Sequence, residues 1–178
     1  KTESQGFRLN FAKCNITEVL KETHVRFTSL AKQKGLDFTL QVPEKDFYAH
    51  VNQEAFTKII SNLLNNGMKY AESYVHVMLE APQRDDNNLF RIRTVNDGVI
   101  IPDAMKEEIF KPFVRFNEQE DGKVTTGTGI GLALSRSLAE FHLGTLVMEA
   151  GEESNIFCLT LPVVQDTTIT LTPEAEVE

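Results

Sequence analysis

The stretch Asn62-Leu63-Leu64-Asn65-Asn66-Gly67-Met68-Lys69-Tyr70 decides how this chain is read. At about 100° per residue, Phe56, Ile60, Leu63 and Gly67 fall in one apolar stripe, the mark of a helix with one face in a core. Glu54, Thr57, Ser61 and Asn65 fall on the opposite, solvated side, which predicts that Asn65 takes no part in a site. Asn62, Asn66 and Lys69 form a third strip beside the core stripe, with Tyr70 at its edge. Asparagine is a mediocre helix former, so two in one strip need a reason. They either hydrogen-bond neighbouring loops or form the floor for a polar ligand.

Working outward, Asn52 is the expected N-cap of this helix, which runs to Tyr70. Upstream, residues 7–13 alternate as a strand, and Asn15 or Thr17 caps a helix running to about Lys34, with Gly35 as its stop. Strands are expected at 36–42 and 47–51. Downstream, 74–80 and 89–95 read as strands joined by a polar turn at 83–88, and 103–110 as a short helix. Residues 117–126 read as a mobile loop. A third long helix opens near Ile130 and reaches His142, Gly144 ends it, and strands at 145–149 and 156–161 close the domain. Interleaved helices and two hairpins predict an α/β (α+β) two-layer sandwich with a mixed sheet covered on one face by helices. Residues 1–6 read as a linker, 7–163 as one domain and 164–178 as an acidic tail.

The chain has 178 residues, 41% hydrophobic and 25% charged, an ordinary globular mix with enough length for a core. No apolar run approaches the roughly 18 residues that span a bilayer. A net charge of −8 argues against nucleic acid, whose binding rests on cation–phosphate contacts. It leaves room for a nucleotide, which needs only a local cluster of donors and a metal. Cys14 and Cys158 are expected to be buried reduced thiols.

Thr126-Gly127-Thr128-Gly129-Ile130-Gly131-Leu132 precedes the third helix. Its spacing is neither a dinucleotide-binding fingerprint nor a Walker A loop. Glycines at a helix start let main-chain N–H groups and the helix dipole face an anion; a plain flexible loop is the other reading.

Together these segments resemble the GHKL ATP-binding superfamily, and within it the catalytic domain of bacterial two-component sensor histidine kinases. Asn62–Tyr70 looks like the N-box and Asn96-Asp97-Gly98-Val99-Ile100-Ile101-Pro102 like the G1 box. Ile109-Phe110-Lys111-Pro112-Phe113-Val114-Arg115 looks like the F-box, and the glycine segment like the G2 box. Each block is weak alone; four in the family's order are specific. The resemblance implies a Bergerat-type fold binding ATP and Mg²⁺. It gives Asn66 the metal, Lys69 the phosphates and Tyr70 the adenine, and makes Asn62, Asn66 and Lys69 the catalytic set. Asn96, Asp97, Gly98 and Ile101 would border the base. Phe113 would anchor a lid whose Thr126, Gly127, Thr128, Gly129, Ile130, Gly131 and Leu132 cover the triphosphate. Phe110 would be a second lid anchor, and simple core is the other reading of both phenylalanines.

Two departures carry consequences. The family's G1 box begins Asp-Asn-Gly with a second glycine two positions on; here Asn96 and Asp97 stand in swapped order and Ile100 replaces that glycine. An Asn96 amide oxygen can still accept the adenine amino proton, and Asn96→Asp is expected to tighten ATP binding by up to about tenfold. Asp97 is the rival for that role. Asn62 also stands where ATPases of the superfamily carry a glutamate base, which implies transfer to a protein acceptor rather than to water. His24, His50, His76 and His142 do not look like the acceptor histidine, so the resemblance implies an upstream dimerisation domain in the same parent chain. It further implies a response regulator receiver domain as partner, a homodimeric parent anchored in the inner membrane and a monomeric, cytoplasmic fragment. An anti-sigma-type serine kinase and a degenerate nucleotide-binding domain are the alternative functions.

Overall fold

The computed structural model describes residues 10–83, 88–115, 129–149 and 151–165. Strand β1 (Ala12–Asn15) leads into helix α1 (Ile16–Lys34), followed by β2 (Asp37–Gln41) and β3 (Tyr48–Val51). Helix α2 (Gln53–Tyr70), strands β4 (Tyr74–Glu80) and β5 (Leu89–Asn96), and two 3-10 turns at Asp103–Met105 and Glu108–Phe110 come next. Helix α3 (Gly131–Phe141) and strands β6 (Thr145–Glu149) and β7 (Asn155–Pro162) complete the order.

The helix ends follow their local chemistry. Asn15 Oδ1 accepts from the Glu18 amide at 3.1 Å and Asn52 Oδ1 from that of Ala55 at 2.9 Å, both as N-caps. Gly35 stops α1 in the left-handed region at φ 69°. The end of α3 departs from expectation. Leu143, not Gly144, takes the left-handed turn, at φ 57°. Gly144 is needed for a different reason: a Cβ there would lie 2.2 Å from the Thr160 carbonyl oxygen. Of the strand expected at 7–13, residues 7–9 lie outside the described residues, Asn10 and Phe11 are not in a strand, and β1 runs on to Asn15. The expected helix at 103–110 is the pair of 3-10 turns, broken where Lys106 and Glu107 intervene.

Five strands form one sheet in the order β2-β4-β5-β7-β6, and β1 pairs with β3 in a separate ribbon. Only β2 and β4 are parallel, and a parallel pair needs a crossover, which includes α2. One face of the sheet is apolar: Val75, Val77, Phe90, Ile92, Leu146, Leu159 and Leu161 are buried there. The stripe of α2 lies on that face, with Phe56, Ile60 and Leu63 fully buried, each contributing roughly 1.5–3 kcal/mol. Gly67 lets α2 approach closely, since a Cβ there would sit 3.0 Å from Val75 Cγ1. Both cysteines are buried and free.

The domain's first and last described residues meet at one junction. Asn52 Nδ2 donates to the Asn10 carbonyl at 3.1 Å, and the Asn52 amide donates to His142 Nε2 at 3.1 Å. The Gln165 side-chain amide donates to the His142 carbonyl. Gln165 is therefore buried and packed against the end of α3.

Candidate functional site

Between α2, the end of β5, β7 and the start of α3 lies a cleft of about 400 Å³. The α2 strip supplies its floor. Asn62, Asn66, Lys69 and Tyr70 all border the cleft, and so does Asn65, contrary to expectation. The helical wheel accounts for Asn65: it lies four residues, or about 40°, from Lys69, so it extends the same band rather than opposing it.

Each polar group of the floor has a distinct setting. Asn62 Nδ2 donates to the Gly131 carbonyl at 3.3 Å and to the Ser135 hydroxyl at 3.0 Å, tying α2 to the first turn of α3. The Asn66 carboxamide takes no hydrogen bond among the described residues. Lys69 Nζ lies 5.0 Å from the centre of the Tyr70 ring. Lys69 and Arg115 are the only charged residues lining the cleft among those described, so a chain of net charge −8 presents positive charge here.

Asn96 and Asp97, rivals in the sequence, go to different places. Asn96 lines the cleft and is 5% exposed. Its Nδ2 donates to the Asp97 carbonyl at 2.6 Å. The reverse amide orientation would set two acceptors against each other, so Oδ1 is the atom left for a ligand. Asp97 is not part of the lining. Its carboxylate accepts from the amides of Glu72 at 3.0 Å, Ser73 at 2.9 Å and Tyr74 at 3.1 Å, and from the Ser73 hydroxyl. Partial burial works to raise its pKa, but these donors outweigh it and hold the carboxyl at about 2. Asp97 thus docks the C-terminal end of α2. Gly98, also outside the lining, adopts φ 101°, and a Cβ there would lie 2.2 Å from the Tyr70 carbonyl oxygen. β5 ends at Asn96, which keeps the face of the sheet that meets α2, whereas Asp97 has left the strand and turns to residues 72–74.

On the facing side, Gly129, Gly131 and Leu132 border the cleft, whereas Ile130 does not. Thr126, Gly127 and Thr128 lie outside the described residues, as does most of the expected lid. Phe113 does not reach the cleft: it is 75% exposed, at φ 66°, and its amide donates to the Gly129 carbonyl at 2.9 Å. Phe110 is core, with Arg136 stacked 3.7 Å above its ring. Arg136 also pairs with Glu107 at 2.8 Å and donates to the Leu146 carbonyl, fixing the 3-10 turns to α3.

Residues 51–175 match the family described as histidine kinase-, DNA gyrase B- and HSP90-like ATPase. This chain belongs to that family. The match runs through all the segments that line the cleft. The sensor histidine kinase WalK of Bacillus subtilis is 25% identical over 93% of this chain and 27% of its own length. Histidine kinase P4 of Formosa agariphila is 28% identical over 92% of this chain and 12% of its own. The chain therefore spans about a quarter or less of these curated relatives. The catalytic domain of histidine kinase ThkA superposes with a TM-score of 0.75 over 87% of this chain and 97% of that one, at 24% identity. ThkA has also been solved in complex with the response regulator protein TrrA. Full-length ShkA, solved in complex with AMPPNP, matches over 91% of this chain and 33% of its own, with a TM-score of 0.74 and 19% identity.

Several members of the cleft were missed in the sequence. Val99, Ile109, Asn155 and Phe157 line it, and only Asn155 left a trace, as an asparagine opening a strand of otherwise apolar character. None of the four histidines lines the cleft, and His142 is fully buried. Burial lowers its pKa, opposed by its bond to the Leu138 carbonyl.

Proposed function

We propose that this ATPase-family domain binds Mg-ATP in the cleft and transfers its γ-phosphoryl group to a histidine of a separate dimerisation domain. The observation that carries this reading is the cleft's donor set. It combines two carboxamides without a hydrogen bond among the described residues (Asn65 and Asn66), two cations, a helix start with glycines and a buried neutral acceptor (Asn96 Oδ1), with no carboxylate among the described lining residues. Phosphates find cations and main-chain donors there, and the base finds an acceptor for its amino group.

A magnesium ion fits these residues. Mg²⁺ keeps several waters and takes few protein ligands besides phosphates, and the Asn66 carboxamide, without a hydrogen bond among the described residues, suits an ion that arrives with its nucleotide. When bound, it supplies charge neutralisation on the phosphate oxygens. Asn66 Oδ1 would hold it, Lys69 would balance phosphate charge, and Gly129 and Gly131 admit the triphosphate to the start of α3. Asn62 holds α3 in place and has no basic atom to take a proton from water. The acceptor imidazole nitrogen would then form the new bond to the γ-phosphorus as the bond to the β-phosphate oxygen breaks and ADP leaves.

The parent protein is proposed to be a dimeric two-component sensor kinase, anchored in the inner membrane with this domain in the cytoplasm and a response regulator as its output. No helix among the described residues is long and apolar enough to cross a membrane. Calorimetric titration with ATP, with and without Mg²⁺, tests the first half; tight binding only with the metal is the expected result. Incubation with labelled ATP and the parent's upstream segment tests the second. Label on a histidine of that segment is expected, and rapid phosphate release by the isolated domain instead would overturn the transfer reading.

A further inference from the structure

The segment between Gly98 and Pro102 forms one wall of the cleft through Val99 and Ile101, yet its own backbone does little to hold it. Gly98 turns the chain at φ 101°, and Pro102 offers no N–H. Among the described residues, both hydrogen bonds of residues 99–101 go to a single side chain. Asn155 Oδ1 accepts from the Ile101 amide at 2.9 Å, and Asn155 Nδ2 donates to the Val99 carbonyl at 2.9 Å.

Asn155 sits directly opposite Asn96 in the antiparallel register of β5 and β7. Its amide therefore acts as one more peptide unit, continuing the β5–β7 ladder after β5 has ended and catching the departing chain. The residue is 3% exposed and its two amide ends are both taken, so its rotamer is fixed.

We propose that Asn155 is the positioning residue of the base end of the cleft: by splicing Val99 and Ile101 onto β7, it preforms the wall against which the base rests beside Asn96. This rests on the nucleotide reading above. Asn155 touches no phosphate in that arrangement, so its loss weakens whatever the base contributes and spares the metal and the phosphates.

Three proteins test this: the parent, Asn155→Leu, which keeps the size and loses both bonds, and Asn155→Asp, which keeps the acceptor for Ile101 but turns an acceptor towards the Val99 carbonyl. Hydrogen exchange at the Ile101 amide should quicken in Asn155→Leu and stay slow in Asn155→Asp. Loss of two neutral hydrogen bonds predicts about tenfold weaker ATP binding in Asn155→Leu, and the buried acceptor set against the Val99 carbonyl predicts a loss at least as large in Asn155→Asp. ADP should weaken by the same factor as ATP, with Mg²⁺ dependence unchanged, which general damage to the fold would not reproduce. If Asn155→Leu does not fold, Asn155→Asp carries the affinity test alone. Unchanged nucleotide affinity, or unequal losses for ATP and ADP, would overturn the role. Unchanged Ile101 exchange in Asn155→Leu would overturn the splice itself. Failure of the parent to bind any adenine nucleotide would overturn the nucleotide reading and this role with it, while leaving the exchange result to judge the splice.

Discussion

The two ends of α2 are fastened by opposite chemistry. At the C-terminal end, an ionised carboxylate, Asp97, gathers three amides and a hydroxyl from residues 72–74. At the N-terminal end, a neutral imidazole does the work: His142 Nε2 accepts from the Asn52 amide while Nδ1 donates to the Leu138 carbonyl at 2.7 Å. Acid should undo both, one by removing a charge and the other by adding one. The difference follows from surroundings, since Asp97 lies near solvent and His142 is fully buried. A buried charge without a partner is far costlier than a buried neutral ring.

The hardest way to break the C-terminal fastening is Gly98→Ala. A Cβ 2.2 Å from the Tyr70 carbonyl, at a φ that disfavours any side chain, should cost about 3–5 kcal/mol in a urea titration. It should displace Lys69 and Tyr70 as well, so ATP affinity should fall further than stability accounts for. At the other end, His142→Ala should cost about 2–4 kcal/mol, combining a cavity with an orphaned Asn52 amide.

The pH profiles sharpen the contrast. The folded pKa of His142 lies below its ordinary value of 6.5, so its contribution is present above pH 6.5 and declines as pH falls below it. Asp97 has a folded pKa of about 2 against an ordinary 3.8, so its contribution persists to about pH 3.8 and disappears on the way to 2. Denaturant midpoints measured across pH should show the upper step vanish in His142→Ala and the lower step vanish in Asp97→Asn. With solvent screening, Asp97→Asn should cost only about 1–2 kcal/mol at neutral pH.

The smallest effect concerns Asn96→Asp. The sequence argued for a tenfold gain in ATP affinity, but the Asp97 carbonyl at 2.6 Å needs a donor opposite it. A carboxylate gains a charged acceptor and loses that donor, so affinity should stay within about threefold of the parent in a calorimetric titration.

Much of the fold was legible because its signals are local. The caps at Asn15, Asn52 and Gly35, the α2 stripe and both hairpins follow from residues within one turn or one strand. The floor of the cleft was legible for the same reason, since Asn62, Asn66, Lys69 and Tyr70 share one helix. What stayed hidden depends on pairing between distant segments. Asn155 reaches the cleft only because β7 lies against β5 with Asn155 facing Asn96. The separate tasks of Asn96 and Asp97 depend on which face of β5 meets α2, a fact no neighbouring residue reveals. Phe113 was placed by family likeness, and its exposed setting follows from a left-handed backbone that the sequence does not announce.

The junction at Asn52 and His142 has a consequence for how this unit can be joined to others. β3 takes β1 along one edge, and the His50 amide donates to the Val163 carbonyl at 2.7 Å. Lys13 and Val163 therefore flank the same residue, about two strand spacings or 10 Å apart. Chain entering at Asn10 and chain leaving after Gln165 pass through one small patch of surface. Such a unit behaves as a cassette, able to be inserted into a longer chain without forcing its neighbours apart. It is equally suited to circular permutation. A short glycine–serine bridge from 165 to 10, with new ends opened in the polar segment between β4 and β5, should preserve the fold and its cleft.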